Sequence, residues 1–169
     1  MLLGVADPWS ERKGLQDYIA LSKILPPEYI IVLIGLDKEQ IESLPDNMVG
    51  IGRTQNQAEL AAYYSMADIL LSLSTGETFG MTMAEAYGCG TPVIVYDNTA
   101  QPEIVTPETG RVVKTGDLEA LAATIREFHD TDFKKHHSDA CRKRAEECFD
   151  KDKCFEKYIE LYEQILANK

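Results

Sequence analysis

Six short apolar runs, separated by segments of helix length, set the organisation of this sequence. They are Leu2-Leu3-Gly4-Val5-Ala6, Tyr29 to Ile34 (YIIVLI), Met48-Val49-Gly50-Ile51-Gly52, Asp68 to Leu73, Val93-Ile94-Val95 and Gly110-Arg111-Val112-Val113. The Tyr29 to Ile34 run is apolar without alternation and rich in β-branched residues, the pattern of a strand covered on both faces. Strands that alternate with helices and carry such runs argue for an α/β fold built on a doubly wound parallel sheet of about six strands. In such sheets, sites form beyond the carboxyl ends of the strands, where the strand order reverses.

The intervening segments read as helices with recognisable ends. Leu15 to Leu25 keeps apolar residues at helical spacing and stops at Pro26-Pro27. Asp37, Asn56 and Asp117 are the side chains expected to cap the helices that follow them, reaching Leu44, Met66 and Phe128. The segment from Asp97 to Thr109 reads as a loop. Residues 132–169 read as a charged helical tail with a break at Phe149-Asp150, and no linker divides the chain.

The densest chemistry lies in Ser74 to Asn98, STGETFGMTMAEAYGCGTPVIVYDN. A loop bearing Glu77 follows the fourth apolar run, and Phe79-Gly80 opens a helix that Gly88 and Gly90 stop. A helix start offers unpaired N–H groups and the positive end of the helix dipole, which suit a phosphate. Glu77 and Glu85 beside such a site make poor phosphate ligands but good acceptors for sugar hydroxyls. Together they point to a nucleotide sugar.

Composition narrows the classes. The 169 residues fit one domain, and 28 acidic against 17 basic residues give a net charge of −11. Such a surface repels nucleic acid, and any phosphate site must be locally positive. No apolar run is long enough to span a bilayer and no signal core is evident, so a cytoplasmic location is expected. Cys89, Cys141, Cys148 and Cys154 form no CxxC pair and are expected to be reduced thiols.

At this point the residues resemble a known family. Glu77-x7-Glu85, with Phe79-Gly80 after the first glutamate and Gly90-Thr91-Pro92-Val93-Ile94 after the second, resembles the retaining GT-B glycosyltransferases of family 4. Gly4 with Arg12-Lys13-Gly14 resembles the family's first loop. Pro102-Glu103-Ile104-Val105, Thr109-Gly110 and Gly116-Asp117-Leu118 with Leu121 resemble its closing segment. The likeness runs from Leu2 to Phe128 and concerns the C-terminal, donor-binding half, a Rossmann-like half of the GT-B fold. It implies that an N-terminal acceptor-binding domain is absent, and a chain starting directly on its first strand reads as an excised domain.

What the resemblance implies for individual residues can be set beside their plainer readings. The backbone amides at Gly80, Met81 and Thr82, after Phe79, would hold the donor diphosphate; otherwise they form an ordinary loop-to-helix turn. Glu85 would accept the ribose hydroxyls, or else simply complement the helix dipole. Glu77 would face the transferred sugar, or else be a solvated loop residue. Lys13, assisted by Arg12, would neutralise the leaving diphosphate, and Val5 stands where the family often has an arginine. Arg53 would contact base or phosphate. Glu103 has a structural reading at least as good as a functional one.

The expected enzyme moves a sugar from a nucleotide diphosphate donor to a glycan or lipid-linked acceptor, without cofactor or metal. Asp130-Thr131-Asp132 and Asp150-Lys151-Asp152 have the spacing of metal-binding pairs, but helix capping accounts for them better. The implied partners are the nucleotide sugar, the missing half, the acceptor and, for the full enzyme, the inner face of a membrane. Two alternatives stay open: another GT-B enzyme such as a nucleotide-sugar epimerase or phosphorylase, or a flavodoxin-like binding module using Asp7 and Asp97. The apolar side of the last helix, with Phe155, Tyr158, Ile159, Tyr162 and Ile165, is expected to be left partly exposed.

Overall fold

A computed structural model describes residues 1–167. Its centre is a six-stranded, all-parallel sheet in the order β3-β2-β1-β4-β5-β6. The strands are β1 (Leu2–Val5), β2 (Ile31–Ile34), β3 (Met48–Ile51), β4 (Ile69–Ser72), β5 (Val93–Tyr96) and β6 (Gly110–Val113). All six expected runs form strands. Tyr29 falls outside β2 because its amide donates to the Pro26 carbonyl in a turn.

Consecutive strand residues point to opposite faces, so each strand feeds two cores. On one face Leu2, Ile31, Leu33, Leu71, Ile94 and Tyr96 pack with Tyr18 and Leu21 of α1 (Leu15–Ile24) and Leu121, Ile125 and Phe128 of α6 (Leu118–Asp130). On the other, Leu3, Val32, Leu70, Val93 and Val95 pack with residues of four helices. These are Tyr64 of α3 (Gln57–Met66), Met83 and Tyr87 of α4 (Met81–Gly88), Ile104 of α5 (Gln101–Ile104) and Cys141 of α7 (Phe133–Cys148). Truncating Leu71, which is fully buried, to alanine would cost about 2–5 kcal/mol.

Local chemistry explains the helix starts. Asp37 forms a capping box with Gln40 at α2 (Lys38–Glu42), while Asn56 and Asp117 accept the amides of Glu59 and Ala120. The helix break at Phe149-Asp150 is present, and Asp150 caps α8 (Lys151–Ala167) through the Lys153 amide at 2.9 Å. Two expectations need correction. The segment after Asp97 is not all loop, because Gln101–Ile104 winds into a short helix, α5. Asp132 precedes α7 with φ of 49° and caps nothing with its side chain, so helix capping does not account for that aspartate.

Helix α8 contributes no buried residue, and Phe155, Tyr158, Ile159, Tyr162 and Ile165 are all exposed. The charged helical tail expected over residues 132–169 forms α7 and α8, and residues 168–169 lie outside the described part. No helix among the described residues is long and apolar enough to cross a membrane.

Candidate functional site

The strand order runs outward from β1 in one direction and from β4 in the other, so the switch lies between these two neighbours. The loops leaving their carboxyl ends are Ala6 to Gly14 and Leu73 to Gly80. The structure ties them together. The Arg12 carbonyl accepts the Thr75 amide at 2.8 Å and the Ser74 hydroxyl at 3.1 Å, and the Arg12 guanidinium donates to the Gly76 carbonyl. Lys13 Nζ lies 2.5 Å from Glu77 Oε1, with only 23% and 15% of the two side chains exposed.

Gly14 makes this approach possible. It follows a 3-10 turn at Glu11–Lys13, adopts φ of 76°, and sits so close to β4's end that a Cβ would lie 2.2 Å from the Leu73 carbonyl oxygen. Only glycine combines that conformation with that contact. Lys13 is thereby delivered to the β4 loop.

The Glu77 loop is held from its other side. The Glu77 amide donates to Thr99 Oγ1 at 2.8 Å. Behind it, the buried Gln101 accepts the Ser72 hydroxyl at 2.6 Å and donates to the Ser74 carbonyl at 2.8 Å. Asn98 donates to that same carbonyl at 3.1 Å. These residues were not singled out from sequence, and their role depends on α5, whose four residues are too few for periodicity to reveal.

Helix α4 starts at Gly80, which has φ of 84°. The Gly80, Met81 and Thr82 amides precede the first intrahelical donors and have no acceptor among the described residues. Thr82 lines a shallow hollow together with Lys13, Ser74 and Glu77. Glu85, one turn on, is exposed and accepts the Tyr64 hydroxyl at 2.8 Å. Phe79 leans edge-on against Phe149, 5.6 Å between ring centres, and remains 45% exposed.

Arg53 is not drawn into this group. It ends the β3 side of the same edge, largely exposed, with Nε 3.4 Å from Asp7 Oδ2. Asp97 accepts the Thr115 amide at 2.7 Å and the Thr115 hydroxyl at 2.9 Å, which holds its carboxyl below the usual range. Asp7 and Asp97 thus engage different partners, Arg53 and Thr115. Among the described residues no three His, Cys, Asp or Glu side chains converge as a metal site.

A larger cavity, about 490 Å³, lies at the opposite end of the sheet, lined by residues that include Tyr29, Asp68, Phe128, Phe133 and Lys134. It faces the amino ends of the strands, away from the strand-order switch, and the start of α7 at Asp132 and Phe133 lines it. The chemistry converges at the smaller hollow over the carboxyl ends, and that is the candidate site.

Comparison with known proteins decides the family. Residues 7–147 match the family model described as Glycosyl transferases group 1. The chain belongs to the group 1 glycosyltransferases. Over 144 residues it is 30% identical to N-acetyl-alpha-D-glucosaminyl L-malate synthase from Bacillus anthracis, a match covering 84% of this chain and 36% of that relative. Among solved structures, sucrose-phosphate synthase from Thermosynechococcus elongatus superposes with a TM-score of 0.84 at 27% identity, over 99% of this chain and 46% of that one. Anabaena Alr3699/HepE, solved in complex with UDP-glucose, has the same fold, with a TM-score of 0.81 at 22% identity over 96% of this chain and 48% of that one. This group 1 glycosyltransferase chain therefore spans just over a third of the curated relative and under half of each solved one. Its sheet is the Rossmann-like half of a GT-B fold.

Proposed function

We propose that this chain is the donor-binding half of a retaining glycosyltransferase that moves a sugar from a nucleotide diphosphate donor to a glycan or lipid-linked acceptor. One observation carries the reading: Lys13 and Glu77 meet at the strand-order switch, beside the open start of α4. Each part suits one portion of a nucleotide sugar. The free amides at Gly80, Met81 and Thr82 and the helix dipole accept the diphosphate, with the Thr82 hydroxyl in support. Glu85 accepts the ribose hydroxyls. Phe79, exposed beside Gly80, borders the donor, and Arg53 and Arg12 offer further cationic contacts at the same sheet edge. HepE's binding of UDP-glucose is that protein's property; it agrees with this assignment.

The Lys13–Glu77 pair changes partners in this mechanism. Without donor, each side chain neutralises the other. When the donor enters, the diphosphate takes the Lys13 ammonium, a compact charge on a flexible stem, and Glu77 turns its acceptor oxygens to the sugar. As the glycosidic bond to the diphosphate breaks, negative charge grows on the leaving oxygen and positive charge on the sugar carbon. Lys13 and the α4 amides stabilise the first, and the Glu77 carboxylate the second. Charge stabilisation of this kind asks nothing of a divalent cation or cofactor. The acceptor is brought by a second domain, and activity of the whole enzyme depends on it.

The test is a panel of UDP-, GDP- and ADP-sugars in the presence of EDTA, read by thermal stabilisation of the chain, since binding to the native state raises its melting temperature. One base series raises it in a concentration-dependent way, and transfer to an acceptor by the chain alone is weak or absent. A flat response to all three series would overturn the proposal.

A further inference from the structure

We infer that Tyr64 is a positioning residue for the nucleotide's ribose, its hydroxyl holding the Glu85 carboxylate in the orientation that accepts the ribose hydroxyls. The inference rests on the assignment of Glu85 to the ribose made above. It adds a residue on another helix, 21 positions away, that controls how Glu85 presents itself.

The two side chains are opposites. Glu85 is exposed and, among the described residues, its carboxylate has a single hydrogen-bond partner. A glutamate in that setting samples several rotamers, and a ligand that needs one of them loses affinity in fixing it. Tyr64 is 1% exposed and belongs to the core beneath α3 and α4. Its backbone is fixed too: the Tyr64 carbonyl accepts the Thr91 hydroxyl at 2.6 Å, and Lys134 Nζ donates to the neighbouring Ser65 and Ala67 carbonyls at 2.6 and 2.5 Å. An immobile donor therefore grips one oxygen of a mobile acceptor. Burial pushes the Tyr64 hydroxyl well above its ordinary pKa, with the Glu85 charge adding to the effect, so it remains an O–H donor throughout the working range. Because Tyr64 engages Oε2, the Oε1 oxygen and the remaining lone pairs are left to accept a vicinal diol.

A purely structural account of Tyr64 is the alternative: a buried hydroxyl needs an acceptor, and Glu85 is the one in reach. The two accounts differ in what the ribose feels, which a thermodynamic cycle reads. The full chain and its Tyr64→Phe, Glu85→Asp and Glu85→Ala variants are titrated calorimetrically with whichever of UDP, GDP and ADP binds. The same titrations are run with that nucleotide's 2′-deoxy and 3′-deoxy forms. The positioning account predicts that Tyr64→Phe weakens the ribonucleotide about five- to twentyfold but changes the deoxy forms by less than about twofold, because the coupled partner is already missing. Glu85→Asp, which keeps the charge but pulls the carboxylate back from Tyr64, should then behave like Glu85→Ala. If Tyr64→Phe fails to fold, wild-type affinity in Glu85→Asp still overturns the positioning role.

If Tyr64→Phe weakens all nucleotides equally or none, or if Glu85→Asp binds like the wild type, the positioning role is wrong while the ribose assignment stands. If Glu85→Ala leaves ribonucleotide affinity unchanged, the assignment of Glu85 falls, and this inference with it.

Discussion

Lys13 Nζ and Glu77 Oε1 stand 2.5 Å apart although they leave different strands and are separated by 64 positions in sequence. The pair is mostly shielded from solvent, so its members depend on each other for charge balance. In a chain of net charge −11, it also places a cation where an anionic ligand could be met.

Replacing Lys13 by methionine removes that cation and leaves Glu77 without its partner. Binding of a nucleoside diphosphate should weaken by about tenfold or more, as expected for loss of a charge-assisted contact, while binding of the uncharged nucleoside changes little. Calorimetric titration with both ligands gives the comparison. Equal losses for the two would place Lys13 away from the phosphates.

The two left-handed glycines of the site should respond differently to alanine. At Gly14 the added Cβ meets a backbone carbonyl at 2.2 Å, which cannot swing aside, whereas at Gly80 it meets the flexible end of Met83 at 2.0 Å. Backbone strain alone is worth about 1–2 kcal/mol in either case, or a fall in melting temperature of roughly 2–8 °C for a domain of this size. Gly14→Ala should exceed that range. Gly80→Ala should stay near it and yet lose more nucleotide affinity than its stability change explains. Melting curves and titrations of the two variants test the order.

Asp97 gives a pH dependence of known sign. The Thr115 amide, then the Thr115 hydroxyl, hold its carboxyl below the ordinary value of 3.8 in the folded chain. A carboxyl whose pKa is lower folded than unfolded adds stability that is complete above the unfolded value and is lost as pH falls through the folded one. The difference in melting temperature between wild type and Asp97→Ala should therefore be the same at pH 7 and pH 6, and shrink below about pH 4. A difference that grows on acidification would contradict the assignment.

The thiols should separate in reactivity. Cys141 is fully buried and burial pushes its pKa up to about 12, whereas Cys89, Cys148 and Cys154 are only partly buried. A thiol reacts as its thiolate, so Cys141 labels last and at a rate set by opening of the fold. Aromatic disulfide titration of wild type and Cys141→Ala should show a slow phase only in the former.

Much of this architecture was legible before the structure, for definable reasons. Runs such as Ile31 to Ile34 advertise doubly covered strands, and Asp37, Asn56 and Asp117 mark helix starts because a short polar side chain can take an amide that the helix leaves free. The alternation of strands and helices implies a parallel sheet with right-handed crossovers, while the order that puts the β1 and β4 loops side by side emerges only in the structure. What stayed hidden was long-range and particular. Nothing local indicates that Tyr64 rather than Tyr63 is the residue facing Glu85, since that depends on the packing of α3 against α4. Nor does sequence show that Arg12 would spend its guanidinium on the Gly76 carbonyl, or that Arg53 would lie against Asp7. Side chains of that length reach any of several partners, and the fold chooses among them.

The central claim is that a nucleoside diphosphate binds over the carboxyl ends of β1 and β4, at the start of α4. The most direct measurement is the response of backbone amide resonances to UDP, GDP and ADP in the presence of EDTA. The account predicts that one of them shifts the Gly80, Met81 and Thr82 amides most strongly, together with Lys13 and Glu77. Shifts confined to Tyr29, Phe133 and Lys134 around the opposite cavity, or none at millimolar nucleotide, would contradict it.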